Sequence, residues 1–211
     1  MIFKDRYDAA LNLIPLLEKY KDEPGVVLAV PRGGVHIGYH IARKYNFPLE
    51  LLLTKKIGHP ASKELAIGAV SLISEVIDDR HHIPEAYIES EIKKIREALR
   101  ERYKKFMGDK EPVDLQNKTV IIVDDGIATG NTILASIKMI RMMHPKKIVI
   151  AVPVAPRETA HKLKAWVDDF VCCYMPKHFF GVGQFYEDFS EVSDEEVIDL
   201  MHEMNHRKEA A

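Results

Sequence analysis

The sequence predicts an α/β protein built on a doubly wound, mostly parallel sheet, and two observations carry this prediction. Short apolar runs, bounded by glycine, proline and charged residues, recur along the chain, and segments with helical periodicity separate them. Continuous apolar runs are typical of strands buried on both faces, and their alternation with helices of about ten residues indicates βαβ units. Ligands bind beside the carboxyl ends of such strands, so the residues that follow each run are the candidates for a site.

Breakers and apolar spacing define the elements in the first third of the chain. Leucines at helical spacing predict a helix over 7–20, which ends before Pro24 and Gly25. The run 26–30 is apolar throughout and is cut off by Pro31, so it is predicted as a buried strand. The next predicted elements are a helix at 35–45, a strand at 49–54, a loop at 55–60, one or two short strands within 67–77, and a polar turn at His81 and His82.

A long amphipathic helix is predicted within the segment 84–107. Proline is favourable at the first position of a helix, and Pro84 precedes apolar residues that recur at spacings of four or three. These apolar residues are Ile88, Ile92, Ile95, Leu99, Tyr103 and Phe106. Almost all other residues of the segment are charged, so we expect an inserted helix that lies on the surface or against a partner subunit.

Strand–helix alternation resumes in the second half of the chain. The apolar run 120–123 predicts a strand, and Ser193 with Glu196 has the spacing of a capping box, which predicts the start of a C-terminal helix. The predicted elements between them are a loop at 124–130, a helix at 131–143, a strand at 148–154, a helix at 156–166 and a strand at 170–174.

Composition excludes several classes of protein. The chain has 211 residues, of which 46% are hydrophobic, and this is enough for one well-packed domain over 1–211. The 30 basic and 32 acidic side chains give no electrostatic basis for binding nucleic acid or an anionic membrane. No apolar run approaches the ~18 residues of a membrane helix, and charges interrupt the first residues, so export is not expected. We expect a cytoplasmic protein in which the adjacent Cys172 and Cys173 are reduced and buried.

The strongest motif lies at 120–132, where an apolar strand leads into two carboxylates and then into a loop of small residues. Asp124 and Asp125 are expected at the carboxyl edge of the sheet, with both side chains projecting into solvent. Residues 128–132 precede a helix, whose free amides and dipole suit a phosphate group. The carboxylates suit ribose hydroxyls or a magnesium ion carried by the substrate. A plain turn with an N-capping threonine is the alternative, and the flanking strand and helix argue against it.

A second anion-binding motif follows the first predicted strand. Gly33 and Gly34 allow the backbone to approach an anion closely, and Arg32 can bind the anion through two parallel bonds. A tight turn with an exposed arginine is the alternative. The position of the motif at the end of a parallel strand favours anion binding.

Together these motifs resemble the substrate-binding signature of the type I phosphoribosyltransferases, which use 5-phosphoribosyl-1-diphosphate. The resemblance implies that Asp124 and Asp125 hold the ribose hydroxyls, that 128–132 holds the 5-phosphate and that 32–34 binds the diphosphate. The residues that it assigns to substrate binding are Arg32, Gly33, Gly34, Asp124, Asp125, Gly126, Ala128, Thr129, Gly130, Asn131 and Thr132.

A third segment, 55–64, resembles the element before the flexible catalytic loop of adenine-type phosphoribosyltransferases. The resemblance implies that Lys56 meets the diphosphate, so the residues assigned to catalysis are Lys56, Asp124 and Asp125. It also implies Mg²⁺ as cofactor, carried by the substrate near the two aspartates, with no dedicated metal ligand in the chain. Hypoxanthine/guanine-type enzymes have an aspartate at the position of Ala128, where it acts on the purine ring nitrogen. Alanine cannot do this acid–base work, so 6-oxopurine acceptors are disfavoured.

Over its whole length the chain resembles the bacterial and archaeal group named "predicted phosphoribosyltransferases". The shared segments are Phe3-x-Asp5-Arg6, Val30–Gly34, Glu64–Ala69, Asp124–Gly130, Ala151–Pro156 and Val182–Phe189. The resemblance implies a core over about 24–178 with the helical insertion at about 84–107. It also implies a small hood formed from about 1–22 and 178–211.

The activity implied is transfer of the phosphoribosyl group to a nitrogen nucleophile, a nucleobase, with release of diphosphate. A non-catalytic sensor or regulator that binds the same substrate is the alternative. The expected partners are 5-phosphoribosyl-1-diphosphate and a small-molecule acceptor, without nucleic acid or membrane, and a homodimer is left open. Residues 202–206 spell the His-Glu-x-x-His pattern of zinc proteases, which we interpret as a chance match on the C-terminal helix.

Overall fold

The computed structural model describes residues 1–78 and 83–209 and contains two sheets flanked by helices. The strands are β1 (Gly25–Ala29), β2 (Leu49–Leu51), β3 (Thr54–His59), β4 (Ser62–Ser71), β5 (Glu75–Ile77), β6 (Thr119–Val123), β7 (Lys147–Val154) and β8 (Asp169–Tyr174). The α-helices are α1 (Arg6–Leu13), α2 (Gly33–Tyr45), α3 (Glu85–Met107), α4 (Asn131–Arg141), α5 (Arg157–Lys164) and α6 (Asp194–Glu209). The turn expected at His81 and His82 lies outside the described residues.

The larger sheet has the strand order β2-β1-β6-β7-β8, and every neighbouring pair in it is parallel. Strands β1 and β6 are buried along their whole length, as continuous apolar runs require. The two faces of the sheet carry separate apolar clusters, one with Val27 and Ile121 and the other with Leu28 and Ile122. The predicted doubly wound α/β fold is confirmed.

The loop predicted at 55–60 is wrong, because these residues form β3. This strand pairs antiparallel with β4, and β5 completes a second sheet of three strands, which we call the small sheet. Ile57 is buried whereas Lys55 and Lys56 are exposed. The register shifts at Gly58, where a Cβ would lie 2.7 Å from the carbonyl oxygen of Lys63. The glycine and proline that suggested a loop therefore belong to a bulge and a hairpin turn.

The helix predicted at 7–20 is wrong in its second half. Helix α1 ends at Leu13, and Ile14–Tyr20 forms a 3-10 helix with a proline in its first turn. Pro15 has no N–H, and its ring would clash with a carbonyl one turn earlier, so it cannot lie inside an α-helix. The remaining helices begin and end within about two residues of the predicted positions.

Helix α3 packs within the chain, against α6 and the small sheet. The residues buried on its apolar face are Ile95, Leu99, Tyr103, Phe106 and Met107. The hydroxyl of Tyr103 donates to the carboxylate of Glu50 over 3.0 Å, and that carboxylate also accepts the N–H groups of Leu51 and Val113. Burial raises the pKa of Glu50. The predicted helix is confirmed, and much of its apolar face is covered without a partner subunit.

Backbone hydrogen bonds join the N-terminal residues 3–4 to residues 185–188, which precede α6. The N–H of Phe3 donates to the carbonyl of Phe185 over 2.8 Å, and the N–H groups of Glu187 and Asp188 donate to Phe3 and Lys4, each over 2.8 Å. The predicted capping box opens α6, since Ser193 and Glu196 each accept the other's backbone N–H. The two segments expected to form a hood are thus in contact, and the division into core and hood stays a prediction.

Cys172 and Cys173 are free and only half-buried. Burial raises the pKa of Cys172 to about 11 and that of Cys173 to about 12, so both thiols stay protonated at neutral pH. No helix within the described residues is long and apolar enough to cross a membrane.

The internal packing of α3 gives a prediction for stability. Phe106 is completely buried, so Phe106→Ala should lower the free energy of unfolding by about 3–5 kcal/mol. Lys93→Ala, an exposed change on the same helix, should have little effect and serves as the control. Urea denaturation at two protein concentrations measures both variants. A loss below about 1 kcal/mol, or one that grows on dilution of the protein, would contradict the intramolecular packing.

Candidate substrate site

The two predicted motifs meet because β1 and β6 are neighbours in the sheet, with Ala29 opposite Val123. Helix α2 begins at Gly33, directly against the end of β6. A Cβ on Gly34 would lie 2.7 Å from the carbonyl oxygen of Val123, and one on Gly33 would lie 1.9 Å from Oδ2 of Asp125. No side chain fits at either position, so the close contact between the motifs requires glycine at both.

Asp124 is half-buried directly after β6. Its Oδ1 accepts the backbone N–H of Asp125 over 2.9 Å. Burial, together with the neighbouring charge of Asp125, raises the pKa of Asp124 well above its ordinary value. Whether ionised or protonated, the Asp124 carboxyl keeps oxygen lone pairs that can accept hydrogen bonds from a ligand's hydroxyl groups.

Asp125 is held by an arginine from α1. Its Oδ2 lies 2.9 Å from Nη2 and 3.0 Å from Nε of Arg6, and only 14% of the Asp125 side chain and 12% of the Arg6 side chain are exposed. Burial raises the pKa of Asp125, and Arg6 opposes this shift. The expectation that both aspartates project into solvent is therefore wrong for Asp125, which Arg6 of α1 covers, while Asp124 is half-buried.

Residues 186–190 complete the surroundings of this ion pair. The hydroxyl of Tyr186 donates to the backbone carbonyl of Asp125 over 2.6 Å. The guanidinium of Arg6 lies 4.3 Å from the ring centroid of Phe189, and its Nη1 donates to the carbonyl of Ser190 over 2.8 Å. Arg6 therefore links α1, the acidic pair and the C-terminal segment.

Arg32 is turned towards the C-terminal segment. Its guanidinium pairs with Glu191, and with Asp194 over 3.4 Å, and Lys105 contacts the same Asp194 over 2.7 Å. About a third of the Arg32 side chain is exposed. Its predicted contact with a diphosphate stays a prediction.

The small-residue loop precedes α4 as predicted. Gly130 has a left-handed backbone with φ of 68°, a conformation that favours glycine. The side chains of Thr129 and Thr132 are exposed, and the hydroxyl of Thr159 fixes the loop by donating to the carbonyl of Ala128 over 2.6 Å. A cleft of about 860 Å³ borders the loop and is also lined by α5 and residues 176–179.

Lys56 lies on the small sheet, away from the acidic pair. It lines a second cleft, of about 630 Å³, together with Asn131 and Lys138 of α4. The structure thus brings Lys56 beside the start of α4, and the lining of this cleft contains neither Asp124 nor Asp125.

The acidic pair offers a magnesium ion only a few oxygen ligands. Within 1–78 and 83–209, no group of three His, Cys, Asp or Glu side chains could hold a metal. Asp124 and Asp125 supply hard oxygen ligands, but Asp125 is shared with Arg6. Two carboxylates fit a magnesium ion that keeps most of its ligands from water and phosphate groups. In the His-Glu-x-x-His segment, Glu203 instead accepts hydrogen bonds from Tyr39 and Arg43.

Sequence reasoning did not assign Arg6 or Phe189 to the site. The signal was available in the two shared segments that contain them, Phe3-x-Asp5-Arg6 and Val182–Phe189. Polar and aromatic residues outside any strand–helix pattern have no core role in the predicted fold, so they are candidates for a site.

The fold is that of the phosphoribosyltransferase class. A family model for the phosphoribosyl transferase domain matches residues 9–190, and the chain belongs to this family, as the resemblance predicted. A Mycobacterium tuberculosis protein named "putative phosphoribosyl transferase" is 33% identical over 202 residues, which cover 93% of this chain and 46% of that protein. The chain thus spans about half the length of the curated relatives that it matches.

One solved structure has the same fold over almost the whole chain. The crystal structure of TT1426 from Thermus thermophilus has a TM-score of 0.87 and 34% sequence identity, and the match covers 97% of this chain and 99% of that one. A purine phosphoribosyltransferase from Pyrococcus horikoshii has a TM-score of 0.49 and 20% identity, over 91% of this chain and 97% of that one. The second likeness is too weak to bear on the acceptor.

The raised pKa of Asp124 gives a prediction for stability against pH. The folded chain binds the Asp124 proton more tightly than the unfolded chain does. This contribution is therefore fully present below about pH 4 and is lost as the pH rises towards the raised pKa. Asp124→Asn removes this loss and can still accept the N–H of Asp125. At pH 8 the variant should be more stable than the wild type, and the difference should shrink towards pH 4.

Asp125→Asn is the matched comparison, since it leaves the mostly buried Arg6 without its anion and should lower stability by about 1–3 kcal/mol. Urea denaturation at pH 4, 6 and 8 measures both variants. A loss of stability in Asp124→Asn at every pH would show that Asp124 is ionised and well solvated in the folded chain.

Proposed function

We propose that this chain transfers the phosphoribosyl group of 5-phosphoribosyl-1-diphosphate to a nitrogen nucleophile, a nucleobase, and releases diphosphate. The observation that carries the proposal is the contact between Gly33 and Asp125 at the carboxyl edge of the sheet. The loop 128–132 opens α4 at this same edge. An anion-binding glycine loop, two carboxylates and a phosphate loop thus lie where a parallel sheet binds its ligand.

Each part of the substrate has a partner of matching chemistry. The 5-phosphate would bind the exposed hydroxyls of Thr129 and Thr132 and the free amides at the start of α4. Asp124 and Asp125 would accept hydrogen bonds from the ribose hydroxyls. The diphosphate would lie beside Gly33, at the first turn of α2.

Magnesium would be held by diphosphate oxygens and by Asp124 and Asp125, and would supply positive charge against the leaving diphosphate when bound. The chain's own contribution is electrostatic. The backbone amide of Gly33 would take up negative charge on the diphosphate, while the carboxylates fix the ribose for attack at C1. We also propose a cytoplasmic location, because two free thiols suit a reducing compartment.

Binding and turnover are tested separately. We expect calorimetry with 5-phosphoribosyl-1-diphosphate and Mg²⁺ to give binding to the wild type, and Asp124→Asn to abolish it without loss of fold. Thr129→Ala and Thr132→Ala should each weaken binding by about 1.5–3 kcal/mol, the value of a charge-assisted hydrogen bond. Asp109→Asn, an exposed change, is the control. Unchanged binding in Asp124→Asn would overturn the site.

Release of diphosphate separates the enzyme from the alternative sensor. The proposal requires diphosphate to form in step with loss of a base from a panel of adenine, hypoxanthine, guanine, xanthine and pyrimidines. Tight binding with no release for any base would favour the non-catalytic sensor.

Ala128 gives a prediction for the acceptor. Without a carboxylate at this position, hypoxanthine, guanine and xanthine should be poor acceptors, with kcat/KM about 10²–10⁴-fold below that of the best base. Ala128→Asp should raise turnover of these 6-oxopurines. Ala128→Asn introduces a side chain of the same size as aspartate but without the carboxyl group, so it should not raise turnover. Rapid turnover of hypoxanthine or guanine by the wild type would contradict the prediction.

A further inference from the structure

We infer that Arg6 binds the diphosphate group of the substrate, an inference that rests on the proposed function. The guanidinium of Arg6 faces Gly33 of the segment 33–34, which we call the glycine loop. A Cβ on Gly33 would lie 3.1 Å from Nε of Arg6, and the same Nε lies 3.0 Å from Oδ2 of Asp125. The arginine therefore lies between the loop that binds the diphosphate and the carboxylate that binds the ribose.

Arg32, which the sequence predicts for this role, is less available. Its guanidinium is already paired with Glu191 and Asp194, and Asp194 is held in addition by Lys105. A diphosphate bound to Arg32 would have to displace these carboxylates. Among the described residues Arg6 pairs with one carboxylate, and an anion that binds its remaining N–H groups need not displace that carboxylate.

The position of Arg6 is fixed before any ligand binds. Asp125 holds one edge of the guanidinium, the carbonyl of Ser190 accepts from Nη1, and the ring of Phe189 lies 4.3 Å away. The contacts with Asp125 and Ser190 use Nε, Nη1 and Nη2, and a guanidinium carries five N–H groups, so N–H donors remain for a second anion. An arginine that is already oriented loses little conformational freedom when it binds.

The charge of Arg6 meets the charge that the reaction produces. As the acceptor nitrogen forms its bond to C1, the C1–O bond breaks and its electron pair leaves on the diphosphate. The proton of the acceptor nitrogen passes to water. Negative charge grows on the diphosphate during this step, and a fixed guanidinium beside it stabilises that charge with little reorganisation.

Two ligands, each carrying part of the substrate, distinguish direct binding of diphosphate by Arg6 from a role in which Arg6 only positions Asp125. Diphosphate with Mg²⁺ reports on the leaving-group contacts, and ribose 5-phosphate reports on the contacts made by Asp125 and the phosphate loop. Calorimetry measures both ligands on the wild type, Arg6→Gln, Arg6→Lys and Arg32→Gln. Arg102→Gln, an exposed change on α3, is the control for loss of one positive charge.

We expect Arg6→Gln to weaken diphosphate binding by about 10–100-fold and Arg32→Gln to weaken it less. Arg6→Lys should restore part of the affinity, and ribose 5-phosphate affinity should change less than about threefold. Because Arg6→Gln leaves Asp125 unpaired, the double change Arg6→Gln with Asp125→Asn is included. It should bind diphosphate no better than Arg6→Gln, since Asp125 is also proposed to contact the magnesium.

Loss of ribose 5-phosphate affinity with diphosphate affinity unchanged would mean that Arg6 only orients Asp125, and the inference would fall. Failure of the wild type to bind diphosphate would overturn it as well. Failure of the proposed function is a separate result: the wild type would bind diphosphate through Arg6 and still transfer no phosphoribosyl group to any base.

Discussion

The candidate site depends on the close approach of the start of α2 to the end of β6. The backbone at Gly33 and Gly34 lies so near the Val123 carbonyl and the Asp125 carboxylate that a single methyl group on either glycine would overlap them. This contact brings the anion-binding loop of one strand against the acids of the next. A third group, the guanidinium of Arg6, contacts the Asp125 carboxylate at the same place.

The N-terminal and C-terminal segments hold this third group. Backbone hydrogen bonds between Phe3 and residues 185 and 187 fix the chain just before α1. They therefore help to fix the position of Arg6 at the site. Tyr186 then contacts the carbonyl of Asp125, and Phe189 lies beside the guanidinium. The parallel sheet supplies the acids and loops of the site. The N-terminal segment, which is bonded to residues 185–188, supplies the arginine that pairs with Asp125.

Sequence alone predicted the parallel sheet well because strands buried on both faces leave an unbroken apolar signal, as 120–123 does. It failed at β3, where exposed Lys55 and Lys56 precede buried Ile57 and only pairing with β4 makes the segment a strand. The acidic pair and the glycine loop were predicted from local pattern. The Arg6–Asp125 pair joins residues 119 positions apart, so it depends on how α1 docks, which no local pattern records.

The charge network at Arg32 has a consequence for the behaviour of the C-terminal segment in salt. The start of α6 is held to the glycine loop through Arg32, Asp194 and the largely exposed Glu191, whereas residues 185–188 are held by backbone hydrogen bonds. Exposed ion pairs weaken as the Debye length shortens from about 10 Å at 0.1 M to about 3 Å at 1 M, and backbone pairing does not. High ionic strength can therefore loosen the ion pairs of Arg32 with the start of α6, but not the neighbouring backbone hydrogen bonds of residues 185–188. Arg32 directly precedes the glycines proposed to bind diphosphate.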